Sequence, residues 1–207
     1  MQQFFIVGLI ALLAAMSPGP DFIIVTRNSL LYSRHAGRYT AVGIGLGLLV
    51  HVAYAIVGIG YIISRSLILF STIKLCGAAY LIYLGVCSLR SKNDAHPTQN
   101  ISTEQKIPHH LEALKIGFLT NVLNPKASLF IVSMFTQIIK PTTPFQIQIL
   151  YGTETAFITL IWFVFLATAI THTSINEYLR HFQRHLSKIM GVVLIALGIK
   201  IAVSTSR

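Results

Sequence analysis

Ser17-Pro18-Gly19-Pro20-Asp21 interrupts an apolar run that extends from about Phe4 to Thr26. A run of that length can cross a bilayer, for which roughly 20 residues suffice. Two prolines remove two backbone donors and crowd the preceding turn, and the intervening glycine loosens the chain further. A carboxylate follows immediately. Non-helical backbone and a charge are tolerated inside a membrane where they line a cavity, so the stretch reads as a substrate or ion site within a broken helix.

The remaining composition agrees with a membrane setting. Of 207 residues, 54% are hydrophobic and 11% charged, against about 25% charged in soluble domains. The net charge of +10 does not gather into a basic stripe with interleaved aromatics, so nucleic acid is not an expected partner. Six candidate spans can be marked at about 4–26, 40–63, 66–89, 115–139, 146–171 and 188–205. The connections at 27–39, 90–115 and 172–188 carry ten basic residues, whereas the opposite side carries only Arg65, Lys140 and Arg207. The positive-inside rule then places the three basic connections in the cytoplasm and both termini outside it.

A polar linker at 90–114 divides the chain into a first repeat at 4–89 and a second at 115–205, within a single membrane domain spanning 1–207. Three spans per half is an odd number, so a duplicated half must be inverted in the bilayer. Such a duplication predicts a second interruption in the fourth span. Asn121-Val122-Leu123-Asn124-Pro125-Lys126 supplies it. Pro18 lies nine residues from Arg27 and Pro125 ten from Lys115, which puts both prolines about 14–15 Å deep, near the midplane. The expected fold is all-α: six transmembrane helices as two inverted three-helix repeats, with proline-broken first and fourth helices.

These breaks, together with Leu123-Asn124-Pro125-Lys126-Ala127, Gly43-Ile44-Gly45-Leu46-Gly47 with His51, and Gly77-Ala78-Ala79-Tyr80-Leu81-Ile82-Tyr83-Leu84-Gly85, resemble the lysine-exporter (LysE/RhtB) family of amino-acid efflux proteins. The resemblance implies a transporter rather than an enzyme. Its expected work is proton-coupled export of amino acids or their derivatives across the bacterial inner membrane. It also implies site residues at Pro18, Gly19, Pro20, Asp21, Asn124, Pro125 and Lys126. An amino acid, protons and the bilayer are the expected partners, no cofactor or metal is called for, and assembly into a homo-oligomer is left open.

Read residue by residue, Asp21 is a candidate for receiving a substrate ammonium or a coupling proton. Lys126, too deep to snorkel out, can neutralise Asp21 or hold a substrate carboxylate. Asn121 and Asn124 offer donors and acceptors beside the second break. Gly43, Gly47 and His51 share one helical face, where small residues permit close approach and an imidazole near the midplane can relay protons or simply pack. Glu154 in the fifth span is a second candidate acid. Cys76 and Cys87 read as two small buried hydrophobes, with a thiol-redox carrier as the competing interpretation. A cation or metal-ion transporter with Asp21 and Glu154 as ligands is another. His181 and His185 stand four apart, but without a third ligand they read as part of a cytoplasmic face.

Overall fold

In a computed structural model residues 2–65, 67–90, 108–140, 142–171, 188–189, 191–196, 198–199 and 202–203 are described. Seven helices are delimited among them: α1 (Gln2–Met16), α2 (Pro20–Leu31), α3 (Arg34–Arg65), α4 (Leu67–Arg90), α5 (His110–Val122), α6 (Pro125–Ile138) and α7 (Phe145–Ala169). Most of the polar linker, the pair His181 and His185, and much of the last expected span lie outside the described residues.

The two interruptions are real breaks. Each second segment opens with a proline at its first helical turn, where the missing N–H costs nothing. The chain bends by 60° between α1 and α2 and by 58° between α5 and α6. Taken as pairs, both bent units are long and apolar enough to cross a membrane, as are the stretches Arg34–Gly58 and Phe145–Ala169 by themselves. The described residues therefore carry two to four such spans by length and composition, with a shorter apolar helix at Ser71–Cys87.

The first basic connection is far tighter than a loop over 27–39. Helix α2 runs to Leu31 and α3 starts at Arg34, so Arg34 and Arg38 belong to the helix. Ser33 starts it, its Oγ accepting the Ala36 N–H at 3.1 Å. Beyond the turn, Asn28 donates to Thr40 Oγ1 at 2.9 Å, joining α2 to α3 at a fully buried position. Arg38 Nε donates to Thr168 Oγ1 at 3.1 Å, tying α3 to the end of α7.

Helix α3 is the central post, packing on α2, α5 and α7. Glycines set how close it comes to α5: a Cβ on Gly43 would fall on the carbonyl oxygen of Leu114, and one on Gly117 of α5 on that of Thr40. The Gly43–Gly47 face is therefore a backbone-to-backbone contact, as its spacing predicts. Gly58, further along, meets nothing within 4 Å. Two buried apolar clusters fill the molecule. One gathers Val7, Leu48, Val52, Ile131 and Phe135, and the other Phe22, Val25, Ile44, Phe163 and Leu166. The two breaks lie at the seam between them.

Candidate functional site

Asp21 and Lys126 occupy matching places: each directly follows the proline that opens the second segment of a broken helix. Each side chain then crosses to the other break. Asp21 Oδ2 accepts Nδ2–H of Asn121 and Nδ2–H of Asn124, both at 3.0 Å. Lys126 Nζ donates to Ser17 Oγ at 2.7 Å, to the Pro18 carbonyl at 3.0 Å and to the Ser17 carbonyl at 3.2 Å.

Local chemistry explains the crossing. An acid in the first turn of α2 stands at the positive end of the helix dipole, which suits it. A lysine in the first turn of α6 does not suit its own helix end. It reaches instead to the carbonyls of 17 and 18, just past the negative end of α1, where a cation is favoured. All three ammonium protons thereby find acceptors.

The two charges feel each other's field but form no ion pair. The expectation that Lys126 directly neutralises Asp21 is thus replaced by a reciprocal exchange between breaks. Gly19 contributes space rather than an unusual backbone angle, since its φ of −180° is ordinary extended chain. A Cβ there would lie 3.2 Å from Lys126 Nζ and 3.3 Å from its Cδ.

The asparagines divide their labour. Asn124 caps α6, its Oδ1 accepting the Lys126 N–H at 3.0 Å while its amide faces Asp21. Asn121 is 1% exposed and rests against Gly47 of α3, where a Cβ would come within 2.9 Å of its Oδ1. After these contacts, Asp21 Oδ1 is still buried with no hydrogen-bond partner. A buried acceptor of that kind costs free energy unless a donor arrives.

Asp21, Asn121, Asn124 and Lys126 line one cavity of about 50 Å³, closed on its apolar side by Phe22, Phe130 and Phe163. Helix α7 adds Thr155 and Thr159. Sequence reasoning missed these residues, because threonines and aromatics spread through a uniformly apolar helix do not announce which face they share. The volume is enough for a water or two, at about 30 Å³ each, and is too small for an amino acid.

His51, 1% exposed, also reaches the second break: its Nε2 lies 2.8 Å from the Asn121 carbonyl oxygen and its Nδ1 2.7 Å from Tyr54 Oη. Glu154 is elsewhere. It lies beside Gly8 in a separate apolar groove between α1 and α7, with Trp162 and Phe165, and does not line the central cavity. Asp21 and Glu154 therefore cannot ligate one ion between them. Among the described residues no group of three metal-ligating side chains forms.

Cys76 and Cys87, expected to be buried, are exposed free thiols on α4. A thiol on an apolar helix face behaves as a small apolar group. Eleven residues of helix separate the two by about 16 Å, far beyond the ~7 Å limit for bridging. An internal dithiol carrier is excluded by that spacing.

Comparison with known proteins agrees with this geometry. A family model described as LysE type translocator matches residues 12–205. An uncharacterized membrane protein of Bacillus subtilis, YrhP, is 35% identical over 94% of this chain and 96% of its own length. A homoserine/homoserine lactone efflux protein of Salmonella typhi is 30% identical over 74% of this chain and 73% of its own. A threonine efflux protein of Salmonella typhimurium is 25% identical over 99% of each. No solved structure matches the chain.

Proposed function

The chain belongs to the LysE type translocator family, and from that premise we propose that it is a secondary active exporter of amino acids or amino-acid derivatives across the bacterial inner membrane, driven by the proton gradient. Members of this family are transporters, not enzymes. The observation that carries the reading is the half-satisfied carboxylate of Asp21. One oxygen is saturated by two asparagine amides, and the other is buried in the cavity without a donor. An α-ammonium supplies that donor, and so does a proton. Two ligands that compete for one carboxylate give antiport, because each leaves as the other binds.

The substrate carboxylate falls to Lys126, whose bonds to the carbonyls of 17 and 18 can be exchanged for it without leaving the ammonium unpaired. Efflux relatives named for threonine and for homoserine support a small zwitterion as cargo.

Paired contacts and matching bends support an arrangement of two inverted three-span repeats. The first segment of each broken helix packs on the second span of the opposite half, α1 on α7 and α5 on α3. The bends of 60° and 58° match, as do the positions of Asp21 and Lys126 after their prolines. Rocking of the halves around this shared centre opens the cavity to one side and then the other. Asp21 is the central proton and ammonium acceptor. His51 and Glu154 are further candidates for proton coupling, His51 touching the second break and Glu154 facing a separate groove.

Cells or vesicles preloaded with labelled threonine, homoserine or lysine, with and without the chain, test the proposal. Chain-dependent efflux that stops when the pH gradient is dissipated at constant ATP is expected. Efflux that follows ATP and ignores the gradient would eliminate the secondary mechanism.

A further inference from the structure

Pro125 has no N–H, so the carbonyl of Asn121, four residues earlier, has lost its helical donor. Two groups replace it. The Asn124 N–H bonds to it at 2.9 Å, and His51 Nε2 approaches at 2.8 Å from α3. A carbonyl oxygen only accepts, so Nε2 must carry the hydrogen. In a neutral ring Nδ1 is then an acceptor and takes the Tyr54 O–H at 2.7 Å. Tyr54 Oη in turn takes the Ser128 hydroxyl proton at 2.5 Å. Ser128 stands in the first turn of α6, its own N–H bonded to the Asn124 carbonyl at 3.1 Å.

The bonds from α3 thus grip both sides of the break. His51 holds Asn121, in the last turn of α5, and Tyr54 holds Ser128, at the start of α6. Gly47, one turn before His51, packs against the Asn121 side chain. The same asparagine presents its amide to Asp21 at 3.0 Å. We infer that His51 and Tyr54 form a clamp that fixes the second break and, through Asn121, aims the carboxylate of Asp21. His51 is then a positioning residue. It is a poor proton relay to Asp21, because the group beyond it is a peptide carbonyl, which accepts a hydrogen bond and passes no proton on.

The clamp depends on the exporter reading only for its transport readout, so the test includes a second readout. A cysteine is placed at Ala127, which lines the cavity, in a Cys76→Ser, Cys87→Ser background. Its labelling by a small thiol reagent is timed in membranes. His51→Leu takes one donor from the Asn121 carbonyl, which keeps the Asn124 N–H, and also frees Tyr54, an effect on the order of tenfold. It is expected to speed labelling and raise the KM for labelled threonine by that factor.

His51→Gln carries an amide N–H at the reach of the imidazole Nε2–H. It should hold both values within about threefold of the parent, because the bond to the Asn121 carbonyl is kept, and keep the parent's pH profile. Tyr54→Phe, which releases only the Ser128 side, should fall between. Parental labelling in both His51→Leu and Tyr54→Phe overturns the clamp. So does a His51→Gln protein that labels like the parent yet loses pH-dependent export, since His51 would then carry the proton. A parent that exports none of the panel defeats the exporter reading, while the labelling rates still decide the clamp.

Discussion

Replacing Gly47 with alanine puts a methyl group 2.9 Å from Asn121 Oδ1, 3.0 Å from Asn121 Cβ and 3.0 Å from the Phe118 carbonyl oxygen. The carbonyl belongs to α5 and cannot yield without moving that helix, so the strain falls on Asn121. Overpacking of this size costs about 1–3 kcal/mol, and alanine returns about 1 kcal/mol in helix propensity. The net loss of stability is therefore about 0–2 kcal/mol, a shift of at most about 8 °C in Tm for a chain of this length. The site suffers more. A hydrogen bond from Asn121 to a charged carboxylate is worth about 1.5–3 kcal/mol, so its distortion should raise the KM for export by roughly tenfold or more.

Two neighbouring glycines calibrate the result. Gly58→Ala meets nothing within 4 Å, so it should leave the KM unchanged and raise the melting temperature by a few degrees at most, from about 1 kcal/mol of helix propensity. Gly43→Ala collides with the Leu114 carbonyl and the Phe118 nitrogen, so it should separate α3 from α5 and lose folded protein outright. Thermal melts of purified protein and efflux from preloaded vesicles read the three variants side by side. A Gly47→Ala protein with parental KM, or a Gly58→Ala protein as impaired as Gly47→Ala, refutes the reasoning.

Single cysteines at Ser33, Gln99 and Gln183 in a background without Cys76 and Cys87 should resist an impermeant thiol reagent in intact cells, as the positive-inside rule predicts for the basic connections; labelling of any one from outside reverses the topology. Thr159→Val removes a hydroxyl from the cavity wall while keeping its volume, so export should weaken severalfold, as expected for one lost polar contact, with an unchanged melting temperature; an unchanged KM says that substrate never meets that wall. Gly19→Ala crowds Lys126 Nζ and Cδ, at 3.2 and 3.3 Å from the new Cβ, and should slow export by several-fold through the loosened bonds to Ser17 and Pro18; parental rates dissociate Lys126 from the cycle.

Much of this architecture is legible in the chain. Proline at 18, 20 and 125 forbids continuous helices there, and the two breaks stand at nearly equal distances along the chain from Arg27 and Lys115. The glycine face of α3 follows from a four-residue spacing. What the sequence does not carry is the partner of each charge. An acid and a base at one depth suggest an ion pair; whether they meet depends on the 60° and 58° bends that aim each side chain at the opposite break. The turn at Tyr32–Ser33 is hidden for another reason: arginines are good helix formers, and they extend α3 past its apolar stretch into the region where charge is welcome. The His51 contact needed one more step, that Pro125 orphans a specific carbonyl, which the sequence shows but periodicity does not.

A charge exchange between Asp21 and Lys126 separates the reciprocal arrangement from an ordinary ion pair. A pair embedded in a low-dielectric site keeps most of its attraction when its members are swapped, because Coulomb's law is indifferent to which helix bears which sign. Here the surroundings are not indifferent. At 21 the partners are two amide donors, which suit a carboxylate, and at the carbonyls of 17 and 18 the partners are acceptors, which suit an ammonium. Swapping aims an anion at carbonyl oxygens and a cation at N–H groups, so both residues lose their hydrogen bonds at once. Each buried charge stripped of partners costs several kcal/mol. Asp21→Lys with Lys126→Asp should therefore fold worse than the double neutral variant Asp21→Asn with Lys126→Met, and neither should export. The comparison is made on membrane-inserted yield, melting temperature and efflux in parallel. Recovery of yield and transport in the swapped protein would show that the two charges serve only each other, and the crossed capping of the two breaks would have to be given up.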